Sequence, residues 1–453
     1  MPDTKPTEEE EIIEEVDVEE AHIEEKELQG NNKWLIWLIS IFNLSSQNIF
    51  MQFYSIFARI VGVSATIIGF ITSIRNLLRG LFQGSIGRLS DKIGRRYILL
   101  FGFFLSFAIP IPLLFDFAQN TYFLIFASLI QAFSISVVLP TWNAVLGDVT
   151  QPRFRAAFIG KVTAIGRIVS VAVTLSLAGV FAILETWFEN VITIGGQVIQ
   201  ITWEIQYGFV FIVSSLNALL CIICVLFLKE TNITTEDEKE DIPRLWVSLK
   251  DKSFVKYLIV NSVFGIAMSL IWPVNPIILT DVLKLTFPQV AIVNATFAII
   301  IGVTIVIGGK IADKIGRRPL IIFANLILIF FPVSMIPAIL TDIWWLILIS
   351  RVIGGLGTGL NLVAKNAYTL DLAPKKLMGA YSGVREMFYG ITTFIGSFAS
   401  GFIIDALNIS YDIITVAIIM SIGVSLIRSL ASTGFLFIDE SLCEEQEKEE
   451  ESE

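Results

Sequence analysis

Residues 87–96, Gly-Arg-Leu-Ser-Asp-Lys-Ile-Gly-Arg-Arg, recur as residues 309–318, Gly-Lys-Ile-Ala-Asp-Lys-Ile-Gly-Arg-Arg. Seven of the ten positions are identical, and the two copies lie 222 residues apart. A second marker keeps nearly the same spacing, because Asn-Ala at 143–144 with Asp148 returns 223 residues later as Asn-Ala at 366–367 with Asp371. Two independent markers at one spacing indicate an internal duplication, in which each half of the chain folds as a copy of the same unit.

Long apolar segments flank both copies of the motif and run through the rest of the chain. Hydrophobic residues make up 54% of the 453 residues and charged residues only 16%, which is typical of a membrane-embedded protein. Because a bilayer core takes about 20 apolar residues of helix, we predict an all-α polytopic membrane protein in a lipid bilayer, with twelve transmembrane helices in two pseudo-symmetric six-helix bundles. The predicted spans are 34–58, 65–86, 97–118, 121–146, 157–183, 207–228, 255–279, 288–309, 319–340, 343–370, 379–404 and 411–437.

Acidic residues concentrate at the two ends of the chain. Residues 1–28 contain 13 Asp and Glu and residues 439–453 contain nine, so the body between them carries 20 acidic and 29 basic residues although the whole chain has a net charge of −10. Terminal runs of one charge sign are typical of solvated, disordered segments. We therefore predict an acidic disordered cytoplasmic tail at 1–33, an N-terminal bundle at 34–228, a cytoplasmic linker at 229–253, a C-terminal bundle at 254–437 and a second acidic cytoplasmic tail at 438–453.

Basic residues of the connections fall almost entirely on one side of the membrane. With the N-terminus in the cytoplasm, the inner connections hold eighteen Lys and Arg, whereas the outer connections hold only Arg59 and Lys284. Because basic connections stay on the cytoplasmic side, we predict a multi-pass cell-membrane protein with both termini in the cytoplasm. The end of the bundle that carries Arg59 and Lys284 is called the predicted outer end below, and the opposite end is called the predicted inner end.

Two local features stand out at the predicted outer end. Residues 191–203 alternate around Gly195 and Gly196, which predicts a small β-hairpin outside the membrane. Pro273 and Pro276 flank Asn275 and are expected to break the seventh helix near its outer end. These patterns leave open whether the hairpin is a plain loop, a lid or a partner site, and whether the prolines form a gate or an ordinary kink.

The repeated motif itself resembles a known family. Gly-x-Leu-Ser-Asp-Lys-x-Gly-Arg-Arg between predicted helices two and three is similar to the loop signature of the major facilitator superfamily of secondary transporters. Its second copy lies between helices eight and nine, as in that family, and the resemblance covers residues 34–437. In helix ten, Arg351-x-x-x-Gly355-x-Gly357-x-Gly359 resembles a glycine-rich motif that the family carries more often in helix four, where this chain has Ser128. The resemblance implies a drug-efflux-like or a metabolite-permease-like branch.

The resemblance also implies a conformational latch, in which contacts at the predicted inner end close the cytoplasmic face while the outer face is open. Gly87 and Gly94 are expected to allow the tight reversal between helices, and the Asp91 carboxylate is expected near a helix N-terminus, where backbone N–H groups favour it. The alternative is that the basic residues only anchor the topology. The predicted latch residues are Gly87, Asp91, Gly94, Arg95, Arg96, Asp148, Gly309, Asp313, Gly316, Arg317, Arg318 and Asp371.

Charged residues inside the predicted spans are the main candidates for a substrate site, because a charge in hydrocarbon must face a cavity, a partner or the bilayer surface. Arg75, Arg167 and Arg385 lie well inside their spans, and Glu386 is the only carboxylate that does. This excess of cations predicts an electropositive cavity for an anionic or strongly polar substrate. A structural interpretation, in which long side chains reach the surface or bond to carbonyls, is favoured for Arg79, Arg351, Lys365 and Arg428.

Polar and aromatic side chains extend this prediction to the helices that the resemblance places around a central cavity, which are helices one, four, seven and ten. Any one of these side chains has an alternative role as a hydrogen-bonding partner of a neighbouring helix. The complete set of predicted substrate contacts is Asn43, Gln47, Tyr54, Arg75, Gln131, Trp142, Arg167, Asn261, Trp272, Asn275, Asn361, Lys365, Arg385 and Glu386.

These features favour a secondary transporter that moves a small polar or anionic solute by alternating access, with a coupling proton or ion left open. The first alternative is a proton-coupled multidrug efflux antiporter. It is disfavoured because helices one and four lack a buried carboxylate and helix five, around Arg167, lacks the Gly-Pro motif common in antiporters of the family.

The second alternative, from another class, is a transporter-like receptor or scaffold that signals through its tails. An enzyme is not predicted, because the chain has no nucleophile beside a base, no Walker loop and no metal-ligand set. Its only histidine, His22, lies in the acidic tail. We accordingly predict no cofactor, no metal and no nucleic-acid partner.

Overall fold

The structure is a computed structural model that describes residues 32–114, 120–149, 155–188, 191–194, 197–229, 245–374 and 377–440. Over these residues the chain forms twelve long helices, as predicted. They are α1 (Asn32–Ile60), α2 (Ala65–Ile93), α3 (Arg95–Ala108), α4 (Thr121–Asp148), α5 (Arg155–Phe188), α6 (Trp203–Phe227), α7 (Lys252–Ser269), α8 (Phe287–Ile315), α9 (Arg317–Val333), α10 (Ile347–Leu372), α11 (Met378–Leu407) and α12 (Ile413–Thr433).

Short helical segments connect or extend several of these helices. The 3₁₀ segments are Ile111–Leu114, Leu245–Lys250, Trp344–Leu346 and Gly434–Leu436. Val274–Ile277 and Ile336–Thr341 are short α-helices, and Ile278–Val282 is a π-helical turn. The predicted outer hairpin is present as strand β1 (Val191–Ile194) paired antiparallel with strand β2 (Gln197–Gln200), while its Gly195-Gly196 turn lies outside the described residues.

Eleven of the long helices in the described chain, with their short extensions, are long and apolar enough to cross a bilayer. The remaining one, α2, has 29 residues, and at 1.5 Å per residue its length of about 43 Å is sufficient. Arg75 and Arg79 in its middle make it less apolar than the other helices. The chain is therefore a multi-pass membrane protein in which the charged face of α2 must contact protein or water.

The repeated motif turns the chain at one glycine, not at two. Gly94 (φ 104°) and Gly316 (φ 93°) occupy the positive-φ region between α2 and α3 and between α8 and α9, which residues with a Cβ rarely adopt. Gly87 and Gly309 lie inside α2 and α8 instead. The expectation that Gly87 takes part in the reversal is wrong, because the helical hydrogen bonding of α2 continues to Ile93.

The first six and the last six helices meet mainly where α2 packs along α11 and where α5 packs against α8. The contact between α2 and α11 is close because glycines leave space for the opposite backbone. A Cβ at Gly401 would overlap the carbonyl oxygen of Ala65, and a Cβ at Gly390 would overlap that of Asn76. Small residues at such crossings allow membrane helices to approach closely, so the α2–α11 contact is the main seam between the halves.

Among the residues that the structure describes, the buried apolar cluster that joins the two halves lies at the predicted outer end. There one large cluster draws on both halves, and within it the Phe287 ring contacts the rings of Phe53, Phe181 and Tyr207 at centroid distances of 5.2, 5.1 and 5.3 Å. Toward the predicted inner end, three other clusters in the described chain each draw on a single half. The halves are thus packed together at the outer end and have separate cores at the inner end.

The seventh helix is broken at its two prolines, as predicted. The helix α7 ends at Ser269, and the chain continues as Val274–Ile277 and then as the π-helical turn Ile278–Val282. Proline lacks the N–H that the preceding turn needs, which accounts for the change of helical geometry here. The break places the short helix with Asn275 against the centre of the bundle and the π-helical turn with Asp281 at the predicted outer end.

Candidate central cavity and its gates

A cavity of about 400 Å³ lies between the two halves, within the size range of small-molecule sites. Helices α1, α2 and α5 line it from the first half, and the broken seventh helix, α8 and α10 line it from the second. Its described lining consists of Asn48, Met51, Gln52, Tyr54, Ser55, Ile56, Ile71, Thr72, Arg75, Arg167, Ser170, Val171, Trp272, Asn275, Pro276, Leu279, Asn294, Phe297, Ala298, Ile301 and Arg351.

Three arginines give this cavity its charge. Arg75 on α2, Arg167 on α5 and Arg351 on α10 all line it, and none of the described lining residues is acidic. Among the residues that the structure describes, no ion pair joins any of the three to a carboxylate. Uncompensated positive charge with low-dielectric walls around it attracts anions, so the cavity suits an anionic ligand.

Two of the three guanidinium groups contain a nitrogen that has no hydrogen-bond partner in the described chain. Arg351 is 2% exposed, and its Nη2 donates to Oδ1 of Asn275 at 2.8 Å, across the break in the seventh helix. The Nε atoms of Arg351 and Arg167 are buried with no hydrogen-bond partner in the described chain. Buried donors without partners are unfavourable, so an acceptor that reached these atoms would stabilise this part of the cavity wall.

Five of the predicted substrate contacts line the cavity, namely Tyr54, Arg75, Arg167, Trp272 and Asn275. Tyr54 is partly engaged already, because its hydroxyl donates to the carbonyl oxygen of Leu124 at 2.6 Å. Of the four helices predicted to surround the cavity, helices one, seven and ten contribute polar groups to the described lining, whereas helix four contributes none.

The structure places the other polar candidates outside the described lining. Gln47 Nε2 donates to Asn43 Oδ1 at 2.6 Å within α1, and Asn361 Nδ2 donates to Asn325 Oδ1 at 2.5 Å between α10 and α9. Three more candidates are buried elsewhere in the protein, namely Gln131, Trp142 and Asn261. Each of the two amide pairs lies within one half of the chain.

Glu386 and Arg385 belong to a separate charge cluster on the seam, nearer the predicted inner end. Arg385 Nη2 donates to Glu386 Oε1 at 2.7 Å, and Arg79 Nη2 approaches Glu386 Oε2 at 3.3 Å from the other half. Arg385 Nη1 also donates to the Lys365 carbonyl oxygen and to Thr369 Oγ1, both at 3.0 Å. The carboxylate thus joins α2 to α11 and compensates two arginines at once.

Two further buried cations are held by groups other than carboxylates. The Lys365 ammonium lies 4.1 Å from the ring centroid of Phe264, a cation–π contact. Arg428 is fully buried, and it donates to the carbonyl oxygens of Leu328 and Met268, both at 2.8 Å. Both side chains therefore lie within the second half, outside the described cavity lining.

Several polar cavity residues were not predicted from the sequence. On α1 these are Asn48, Gln52 and Ser55, whose spacing of four and then three residues places them on one helical face. That spacing predicts a polar face of α1, but Asn43, Gln47 and Tyr54 are also at helical spacing and predict a different face of the same helix. The remaining unpredicted polar residues are Thr72, Ser170, Asn294 and Arg351, and for Arg351 the sequence favoured a structural role.

Both copies of the repeated motif make the same contact with the end of a helix in their own half. Arg96 Nη2 donates to the carbonyl oxygen of Leu226, and Arg318 Nη2 donates to that of Leu436, both at 2.5 Å. The duplication in the sequence is therefore also a duplication of side-chain contacts.

The predicted inner latch is described only in part. Arg317 Nε donates to Asp371 Oδ2 at 3.1 Å, a contact between two predicted latch residues of the second half. Arg95 is 7% exposed at the start of α3. The side chains of three latch carboxylates, Asp91, Asp148 and Asp313, lie outside the described part of the structure. The latch therefore stays a prediction.

Two polar contacts join the halves at the predicted outer end. Arg59 Nε donates to Asp281 Oδ2 at 2.8 Å, and the two positions are 222 residues apart, so the pair links equivalent ends of two repeats. Asp405 on α11 accepts from the backbone N–H groups of Ala65 and Thr66 at 3.0 and 2.8 Å, and from Thr66 Oγ1 at 2.6 Å. Since N–H groups at a helix N-terminus favour a carboxylate, Asp405 caps α2 from the other half.

Comparison with known families gives a match to the Major Facilitator Superfamily over residues 36–262 and 257–451. A stretch of 97 residues is 32% identical to the arabinose-proton symporter of Bacillus subtilis, and covers 21% of this chain and 19% of that protein. A stretch of 121 residues is 33% identical to the quinolone resistance protein NorA of Staphylococcus aureus, and covers 27% of this chain and 30% of that protein. The matched stretches thus span less than a third of either relative.

Solved transporter structures share the fold at low sequence identity. A bacterial homolog of the human lysosomal transporter Spinster matches with a TM-score of 0.68 at 13% identity, over 90% of this chain and 96% of that one. The nucleoside transporter NupG matches with a TM-score of 0.69 at 11% identity, over 90% and 99%. A D-xylose-proton symporter matches with a TM-score of 0.66 at 12% identity, over 90% and 96%.

Proposed function

Because the chain belongs to the major facilitator superfamily of secondary transporters, we propose that its cavity carries a small anionic solute across the membrane by alternating access. The observation that carries this proposal is the cluster of Arg75, Arg167 and Arg351, which line one cavity without an acidic partner in the described chain. Charged side chains within the membrane are unfavourable unless they face a water-filled cavity or pair with another group. Three such cations in one small cavity favour an anion over an uncharged solute.

The packing of the halves supports alternating access. Apolar residues, the Arg59–Asp281 pair and the Asp405 cap all join the halves at the predicted outer end. The apolar clusters toward the predicted inner end each belong to a single half. We propose that the structure is a state closed to the outside, and that breaking the outer contacts while the inner ends close exposes the cavity to the other face.

The proposed transport cycle also requires a membrane topology and a latch at the inner end. We propose that the protein lies in the cell membrane with both termini in the cytoplasm, because the basic connections lie at the end that carries Arg96 and Arg318. The N-terminal bundle at 34–228 and the C-terminal bundle at 254–437 are the rocking units, and the repeated motifs latch the inner face when it closes. The Arg317–Asp371 pair is the described contact that supports such a latch.

A ligand-stabilisation screen on purified protein tests the proposed substrate class. We expect succinate or inorganic phosphate to raise the melting temperature, because a ligand present at 100 times its Kd stabilises the native state by about 2.7 kcal/mol. Uncharged sugars and cationic dyes are expected to leave the melting temperature unchanged. Stabilisation by a cationic dye or a sugar, with no response to any of the anions, would contradict the anionic class.

Glu386 favours a second candidate, a proton-coupled multidrug efflux antiporter. Its carboxylate bridges the two halves through Arg79, so protonation there would loosen the seam, and a stretch of the chain is similar to the quinolone resistance protein NorA. We expect vesicles that contain the protein to show no ethidium transport driven by a pH gradient. We expect Glu386→Gln to keep its anion affinity within about threefold, less than 1 kcal/mol. Gradient-driven ethidium transport that Glu386→Gln abolishes would establish the antiporter instead.

A further inference from the structure

The charge of the cavity determines whether an empty carrier can change its conformation. We propose that the protein reorients only with an anion in the cavity, and therefore exchanges one anion for another instead of moving a single anion in one direction. This inference rests on the proposed function and adds a rule of coupling to it. Its basis is the position of Arg75, Arg167 and Arg351 in the cavity, together with the carboxylates that already have partners elsewhere.

The positive charges come from both halves of the transporter. Arg75 and Arg167 belong to the first half, and Arg351 belongs to the second. In alternating access the inner ends must close before the outer ends open, so the cavity passes through a state that is closed at both ends. Closure at both ends separates the arginines from bulk water, and like charges repel more strongly as the local dielectric constant falls.

Three acidic side chains that join the two halves are already engaged in the described structure. Glu386 is shared between Arg79 and Arg385. Asp281 pairs with Arg59, and Asp405 caps the N-terminus of α2. A counter-charge for the cavity must therefore come from a ligand.

A bound anion removes the barrier by neutralising both walls at once. It accepts hydrogen bonds from guanidinium groups of the two halves, and such charge-assisted bonds strengthen as water leaves. The occluded state is then favourable with a ligand and unfavourable without one. Since a ligand shifts an equilibrium only by its differential affinity for the two states, the anion acts as the switch for reorientation in either direction.

Efflux from proteoliposomes distinguishes exchange from net transport. Vesicles with the full-length protein are loaded with labelled succinate or inorganic phosphate and diluted into medium that contains, or lacks, the same unlabelled anion. Potassium and valinomycin are present on both sides, so that membrane potential does not limit net anion efflux. We expect efflux into anion-containing medium to be at least about tenfold faster, as for a barrier difference of 1.4 kcal/mol. Equal rates in the two media would overturn the inference and leave anion transport intact.

The variant Arg351→Gln tests whether the positive charge of the cavity prevents the empty carrier from reorienting. It removes the positive charge of the second half, so the empty cavity is expected to close more easily and the ratio of exchange to net efflux is expected to fall toward one. A ratio that stays at the wild-type value in protein that still carries the anion would show that cavity charge is not the cause, and would overturn the inference. If neither anion crosses the membrane under any condition while an uncharged solute does, both the proposed function and the exchange inference fail.

Discussion

Replacing Arg75, Arg167 or Arg351 singly by glutamine is expected to weaken anion binding by about tenfold to a hundredfold. A hydrogen bond to a charged group contributes about 1.5–3 kcal/mol, and each 1.4 kcal/mol is about a tenfold change in Kd. Arg351 is expected to show the largest effect, because Asn275 holds its guanidinium at 2.8 Å in one orientation. Isothermal titration of the purified protein with the anion selected by the stabilisation screen measures each Kd.

Arg385→Gln is the matched control for these three variants. It also removes an arginine from inside a membrane-spanning helix, but this arginine is engaged by Glu386, Thr369 and the Lys365 carbonyl and lies outside the described cavity lining. Its anion affinity is expected to stay within about threefold of the wild type, less than 1 kcal/mol. Unchanged affinity in all three cavity variants, or a loss confined to Arg385→Gln, would show that the anion binds at the seam cluster and not in the cavity.

The architecture was predictable because its determinants are local in sequence. Apolar runs of bilayer length define the helices, and the motif at 87–96 and 309–318 reveals the duplication without any knowledge of contacts. The break in the seventh helix was equally predictable, since Pro273 and Pro276 change backbone hydrogen bonding wherever they occur. The helical position of Gly87 was not predictable, because a glycine is compatible with both a turn and a helix interior. Its neighbours continue the helix.

The composition of the cavity was predictable only in part, because it depends on the rotation of each helix and on distant partners. Arg351 and Arg385 are each the only arginine in their helix, and the sequence does not show which of them faces the cavity. Arg351 faces Asn275 and the cavity, whereas the contacts of Arg385 with Lys365 and Thr369 come from a helix that precedes it by sixteen to twenty residues. Only the packed arrangement of α7, α10 and α11 decides between these environments.

Asp405→Asn is expected to open the predicted outer end. The native carboxylate accepts three hydrogen bonds from Ala65 and Thr66 across the seam, and it faces the positive end of the α2 dipole. Asparagine has the same shape but carries no charge and only one acceptor oxygen. A loss of about 1.5–3 kcal/mol from the closed state corresponds to an increase of about tenfold to a hundredfold in the population of the outward-open state.

Labelling of a cavity cysteine measures that population. Ser55 lines the cavity, so Ser55→Cys in a Cys443→Ser background places a thiol behind the outer gate, while Cys221 and Cys224 are buried. A membrane-impermeant maleimide added to intact cells reaches this thiol only through an open outer gate. We expect Asp405→Asn to raise the labelling rate by about tenfold or more, in proportion to the open population.

Asp412→Asn is the control, because Asp412 is also an aspartate cap near the same end of the protein. Its carboxylate accepts from the backbone N–H and the hydroxyl of Thr415, at 3.1 and 2.7 Å, within its own helix. Losing that cap weakens α12 but breaks no contact between the halves, so the labelling rate is expected to stay at its value in the parent Ser55→Cys protein. Equal rates for Asp405→Asn and Asp412→Asn would mean that the outer end is held by the aromatic packing around Phe287 and the Arg59–Asp281 pair, with no measurable contribution from the cap.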